Sequence, residues 1–552
     1  MRDLLKKIRK EPVWILVAVL GCIIYFLFDS HIIKPDINGN LTTGESTYGD
    51  LPFHLATVSR MAYTGTLPPE NPLFSGIPLV YPFFINFLSA VIVIWGFSLR
   101  SSIIFPGMIF SILMIISLYF FYKKLTGRKS VAFLGTLLFF LNGGLGFYYF
   151  LKDVALKGKL ENFITNPGAY PDYSHLFGQN IQWCNFLSRI LIPERSVLLG
   201  IPMGISILYI LFLKEKEDKK NLDWWFILAA VLTGLLPLSH THTFIVFSLL
   251  IPFLAFFELR ISNWKEWLKR WSIFGAITLV VAVPQLRLIF FHLNTSSTFF
   301  KYHIGWMSNP GILEFTMFWW KNTGVLIPLL ISSLFFIKTY KLLTRLVWFS
   351  FFVFTIINLF IFQPFDWDNV KFLFWFAIIA YGAIAFLLVK LWQSKIFFGK
   401  ILAAILVASL TLSSLLSIYR EMNVSYQLFS KEEVDLGSWV RENTPFDSLF
   451  LTEFTHRSFA SNLGGRKILM GYQGSLWVHG IKYGDRERDI KNIYLGASDA
   501  MNLLYKYDVD YVVIGPGERN VLKASEDFFI ENFCLVKATT NYRIYSVKCG
   551  IE

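Results

Sequence analysis

Long apolar runs separated by short basic loops govern what this chain can become. A helix needs about 20 apolar residues to cross a bilayer. Windows of that kind recur at roughly 13–32, 80–97, 103–122, 131–150, 190–213, 224–240, 242–258, 272–291, 315–337, 345–362, 370–391 and 398–418. Only 16% of the 552 residues are charged, against about 25% in a soluble protein. The chain is therefore read as a polytopic membrane protein, mainly α, with the lipid bilayer as its first partner. The net charge of +13 lies largely in short loops between the runs. There it sets topology, and no nucleic-acid partner is implied.

The basic loops fix the expected topology. MRDLLKKIRK precedes the apolar stretch Val13–Phe28 with no small-residue cleavage site after it, so the first run reads as a retained span. Its basic end is expected in the cytoplasm of a multi-pass protein of the cell (plasma) membrane. Lys123–Lys129, Lys214–Lys220, Arg260–Arg270, Lys338–Arg345 and Ser394–Lys400 should face the same side. All of them do so only if one early run fails to cross. The 80–97 run is interrupted by Asn86 and Gly96 and ends near Arg100, so it is read as interfacial or re-entrant. About eleven crossings remain. The outer side then holds 33–102, 151–190, 292–314, the His240–His242 turn, 363–369 and the tail after Ile418.

That tail changes character. Residues 1–418 read as the transmembrane domain, and 419–552 as a small extracytoplasmic α/β domain of ordinary charge density. Glu432–Glu442 looks helical, while Ser448–Thr452, Tyr511–Ile514 and Tyr542–Val547 look like strands. Four cysteines make no disulfide framework; Cys534 and Cys549 either pair or stay free.

Candidate chemistry starts in Ser46–Tyr81, STYGDLPFHLATVSRMAYTGTLPPENPLFSGIPLVY. Pro52 suits a first helical turn and Gly65 a helix end. Asp50 and His54, four apart, then share a face. Two readings of Asp50 stay open: an N-cap, or a catalytic carboxylate at the membrane surface. Glu70 and Asn71 in PPENP read as turn residues or substrate contacts. In IPERSVLLGIP, Glu194 and Arg195 stand where the chain re-enters the bilayer, as anchors or as an acid and a phosphate contact. Asp172, Tyr173 and His175 belong to the same outer loop. His240 and His242 in PLSHTHTF are two turn imidazoles. They either cap helices at the water line or, with a carboxylate, suit a divalent metal such as magnesium, manganese or zinc. Asp366, Asp368, Asn369 and Lys371 share a short outer loop, and Arg287 reads as a buried charge in its span. Arg457, Arg466, Arg486 and Arg488 are further anion contacts in the tail. With no phosphate loop or nucleotide-binding glycine motif, a nucleotide-driven pump is disfavoured.

Three stretches carry a family resemblance: GDLPFHLATVSRMAYTGTLPPENPLFSGIPLVYP in the first loop, GRKSVAFLGTLLFFLNGG after the second crossing, and WVRENTPFDSLFL in the tail. With the topology, they resemble the GT-C superfamily of integral-membrane glycosyltransferases. The resemblance implies a sugar donor linked to polyprenyl phosphate or diphosphate, and transfer on the extracytoplasmic face to a glycan, lipid or protein acceptor. It implies Asp50 as the first-loop carboxylate acting as base in an inverting transfer, and Glu194, or else Asp172, as the second acid. His54 joins them, and Glu70, Asn71, Arg195, Arg287, Asp368, Asn369, Lys371 and Arg466 are the expected substrate contacts. The second outer loop carries no DxD or DxE pair. A secondary transporter or lipid flippase would instead show inverted repeats and ionisable residues at mid-span. A non-catalytic membrane scaffold of glycan assembly would show a closed apolar interior.

Overall fold

In the computed structural model, residues 10–157, 160–214, 224–290 and 299–548 are described. They form a helical bundle with two chemically distinct ends. At one end Glu11 takes Lys123 at 2.8 Å and Lys129 at 3.1 Å. The guanidinium groups of Arg270 and Arg345 lie over Phe226 and Phe257, and Lys390 lies over Phe336. Cations at helix ends lying over aromatic faces suit a water–lipid boundary. The other end carries the polar loops and the tail.

By length and apolarity, seven described helices suffice to cross a membrane, or eight if the pair Ile312–Thr323 and Leu326–Ile337, bent by 81°, is one span. The sequence expectation was about eleven, and the difference lies in short and doubled helices. Trp224–Phe256 is continuous except at His240, where φ −163° and ψ 96° leave the helical region. Its beginning touches Trp264–Phe290 through Phe226 with Trp271 and through Thr278 with Ala230. Its far end returns to the same place, where Trp267 donates to the Ala255 carbonyl at 2.9 Å. A straight helix would hold Phe226 and Ala255 about 44 Å apart, at 1.5 Å per residue. The chain therefore doubles back at His240, as the sequence expects, and the two imidazoles sit at the polar end.

The 80–97 run does not traverse the bundle. Its helix, Phe84–Ile94, is about 16 Å long at 1.5 Å per residue, well short of the hydrocarbon core. Asn86 meets His54 and Ser89 donates to the Ser102 carbonyl. Arg100, just beyond it, pairs with Asp29 at the end of the first span. Lys129–Phe140 is also short, and Asn142 after it donates to the Cys184 carbonyl at the polar end. There Gly144 lies against the backbone of Asn322; an added Cβ would be 2.0 Å from its carbonyl oxygen.

The tail holds a five-stranded sheet ordered Lys467–Ile468, Leu449–Leu451, Tyr511–Ile514, Arg543–Ser546, Cys534–Ala538. The first three strands are parallel and the rest antiparallel. Lys431–Asn443 is the expected helix, with a capping box at Ser430 and Glu433. Cys534 is disulfide-bonded; Cys549 lies outside the described residues. The tail is tied to the first outer loop by Tyr426–Phe429, which pairs with Leu41–Thr43. A second hydrophobic core joins Phe53, Val58 and Met61 to Leu436, Val440 and Phe459.

Replacing Gly144 by alanine forces the Asn322 backbone aside and should cost about 1–3 kcal/mol. A lowered thermal-unfolding midpoint of the purified protein in detergent checks this.

Candidate active site

The helix Leu51–Thr64 places the first two candidates. Pro52 occupies its first turn, and Gly65, at φ +69°, accepts the left-handed conformation that ends it. Every residue from Leu51 to Met61 is buried. Asp50 stands at the N-cap position, but its side chain makes no capping bond. Of the two readings left open by sequence, the cap is the one the geometry sets aside. The carboxyl instead faces a cavity of about 490 Å³ between the bundle and the tail.

Four charged groups meet there. Lys371 Nζ lies 2.8 Å from Glu194 and 3.1 Å from Asp368, and Asp50 feels the charge of all three. One ammonium thus faces three carboxylates. Asp50 remains exposed, but its exposure is to the cavity. Desolvation by the protein around it, then the Glu194 charge, with Lys371 opposing and Asp368 adding a smaller push, takes its carboxyl up to about 7. Neutral and charged forms then interchange near physiological pH.

The histidines have other tasks. His54 lines the cavity, but its Nδ1 meets the Asn86 amide at 3.1 Å and it bonds the backbone of Pro193. Proline has no N–H, so the imidazole donates there and accepts from Asn86. Burial holds it neutral, well below its usual range, helped by Arg195. With both nitrogens engaged, His54 packs beside Asp50 rather than relaying protons. His240 Nδ1 contacts Thr243 Oγ1 at 2.8 Å, and Thr243 also takes Trp375 Nε1. His242 contacts the side-chain amide of Gln363 and packs on Phe372. Among the described residues no group of three or more His, Cys, Asp or Glu side chains is arranged to hold a metal ion. The donor set expected around His240 and His242 is not assembled there.

Other candidates fall outside the cavity. Glu70 accepts from Gly76 N and Asn71 from Leu73 N, so both fold their turn. Asn369 ties the backbone of Phe360 and Phe362. Arg466 is spent on Thr444 and the carbonyls of Arg441 and Gly464. Arg287 is exposed rather than buried. Arg195 is buried behind the cavity wall, donating to Ser89 Oγ at 2.6 Å. Asp172 belongs to a different cavity, bound by Arg189 at 2.6 Å.

Sequence reading missed the cavity's roof. Tyr472, Ser475, Trp477 and His479 of the tail line it beside Tyr81. His479 packs on Phe53 at 5.2 Å and on Tyr81 at 5.6 Å. Burial drops the His479 imidazole to about 4, so it joins this aromatic cluster uncharged. These residues are more than 390 positions from Asp50 in the chain, and no local pattern in the tail marks them.

No protein-family model and no curated protein matches the sequence. Solved structures do. The oligosaccharyltransferase of Archaeoglobus fulgidus in its apo form aligns at 12% identity with a TM-score of 0.55, covering 92% of this chain and 70% of that one. ArnT from Cupriavidus metallidurans bound to undecaprenyl phosphate aligns at 11% identity with a TM-score of 0.52, covering 98% of this chain and 99% of that one. The chain has the fold of these GT-C integral-membrane glycosyltransferases, the one its sequence resemblance implied.

Removing the cation tests the site's electrostatics. Lys371→Met leaves Glu194 and Asp368 buried without a partner, at an expected cost of about 3–5 kcal/mol. Adding Glu194→Gln should restore part of that loss, with about 0.5–3 kcal/mol of coupling. A double-mutant cycle of thermal unfolding in detergent measures it.

Proposed function

We propose that the protein is a membrane glycosyltransferase that takes a sugar from a polyprenyl-phosphate or -diphosphate carrier, with Asp50 as general base. The observation carrying this reading is an N-cap carboxylate that caps nothing and instead faces a cavity whose other charged groups, among the described residues, are Glu194, Asp368 and Lys371. The fold shared with the oligosaccharyltransferase and with ArnT supports the same class. That one of these structures holds undecaprenyl phosphate makes a lipid-borne donor the natural substrate to test.

The chemistry follows from the residues. Ionised Asp50 takes the proton of the acceptor nucleophile as that atom attacks the anomeric carbon. The bond from the anomeric carbon to the phosphate oxygen breaks, and the carrier leaves as its phosphate with inverted configuration at the sugar. Among the described residues that line the cavity Lys371 is the one ammonium, and beyond the N–H groups that face Glu194 and Asp368 it keeps a third to meet the departing charge. Ile245, Ile289, Phe290, Phe299 and Phe362 form an apolar flank suited to a prenyl chain. The polar end is then the extracytoplasmic face, and the acceptor is a glycan, lipid or protein. A secondary transporter or flippase would place its ionisable groups near mid-span, whereas Asp50, Glu194, Asp368 and Lys371 gather at the polar end of the bundle.

In a lipid-linked sugar transfer assay, Asp50→Asn should lower turnover by about 10²–10⁴-fold; near-wild-type turnover removes Asp50 from the mechanism. The base works only when ionised. With its carboxyl raised to about 7, wild-type turnover should rise with pH through that value and be lost below it.

A further inference from the structure

A second cavity of about 440 Å³ opens at the polar end of the bundle, away from Asp50. Such a volume falls within the range of small-ligand sites. Its floor is a charged lattice. Arg189 reaches Asp172 at 2.6 Å and Glu45 at 2.8 Å, and Arg420 reaches Glu45 at 2.6 Å. Burial alone would raise the Asp172 carboxyl, but Arg189 and the Ser417 hydroxyl outweigh it and hold it at about 2. Asp153 takes the Tyr173 hydroxyl at 2.7 Å. Above this floor stand aromatic faces: Tyr149, half-buried, and Phe177, 69% exposed. The His175 ring lies 4.4 Å from Phe177 and 5.5 Å from Trp367. Trp367 lines the first cavity and His175 the second. The two spaces are neighbours across this ring pair.

The lining selects among ligand classes. An anion finds both guanidinium groups already matched by carboxylates. A simple apolar ligand would desolvate five charged side chains with no return. A neutral polyol fits. Asp172 is filled by Ser174, Ser417 and Arg189, but Glu45 and Asp153 keep acceptor positions beyond those their partners use. Arg189 and Arg420 hold Glu45 in place and Tyr173 holds Asp153, and exposed aromatic faces cover the C–H side of a sugar ring.

We propose that this second cavity is a saccharide-binding subsite. It holds the non-reacting sugar units of the glycan, with Phe177 and Tyr149 stacking on a ring and Glu45 and Asp153 accepting from its hydroxyls. The chain of that glycan passes the His175–Trp367 pair to place its reacting end in the first cavity. This assignment of role rests on the glycosyltransferase reading; the binding itself is measured without it.

The test is ligand binding to the full-length protein in lipid nanodiscs, followed by saturation-transfer NMR. The probes are cellobiose, maltose, lactose and chitobiose, with choline and inorganic phosphate in parallel. At least one disaccharide should bind saturably, weakened by about fivefold or more in Phe177→Ala and weakened in Asp153→Asn, which removes charge with little change of shape. Asp50→Asn should bind it as wild type does. Binding of no disaccharide, binding indifferent to Phe177→Ala, or preference for choline or phosphate overturns the proposal. Saccharide binding that persists while wild-type protein shows no transfer from any lipid-linked sugar would sink the transferase reading and leave the subsite standing.

Discussion

Lys371 stands at the head of the most deeply buried helix in the bundle, and the site is arranged around its charge. Every residue from Val370 to Val389 is buried, so this helix is the mast on which the others pack. An ammonium in that place must be neutralised. Asp368, one turn earlier, supplies one carboxylate from the same chain segment. Glu194 supplies the other from the start of a helix distant in sequence. The pairing pins the second outer loop to the mast. It also leaves Asp50, a third acid in the same field, without a cation of its own; desolvation by the surrounding protein raises its pKa first, and the Glu194 charge adds to that.

Asp50 is held in place by a different kind of force. The helix it heads is enclosed on all sides, by the bundle and by the tail. Ser59 donates to the Asn462 carbonyl, Asn462 donates to the Pro52 carbonyl, and Arg60 reaches Phe446 and Asp447. The tail therefore fixes the position of the first-loop acid as well as roofing the cavity with Tyr472, Trp477 and His479. Arg486, stacked on Phe74 and bonded to the Ser75 and Leu469 carbonyls, binds the loop's other limb to the same domain. Several arginines that suggest anion binding in the sequence prove to be such ties between the loop and the tail, or within the tail.

The same loop is clamped at its beginning. Glu421, wholly buried near the end of the last long helix, accepts from Ser46 N and pairs with His31 and Arg420. Arg189 bridges from there to Glu45 and Asp172. Ion pairs that join first span, first loop, second loop and last helix give the polar end a stiffness that loops seldom have. The second cavity is built on that lattice.

Sequence alone determined the elements whose cause is local. Apolar length marked the membrane helices while over-counting the crossings, basic loops marked one end of the bundle, Pro52 and Gly65 bounded the helix behind Asp50, and strand-like patterning found three of the five strands of the tail's sheet. It also placed Asp50, Glu194, Asp368 and Lys371 on one end, because charge and hydropathy are read residue by residue. Only the tertiary structure decided which of these meet. Whether a carboxylate caps its helix or turns into a cavity, whether Asp172 joins Asp50 or Arg189, and which tail residues close the roof all depend on contacts between segments hundreds of residues apart. Burial and pairing are properties of that packing, and they separate the arginines that tie the fold together from the lysine that faces the cavity.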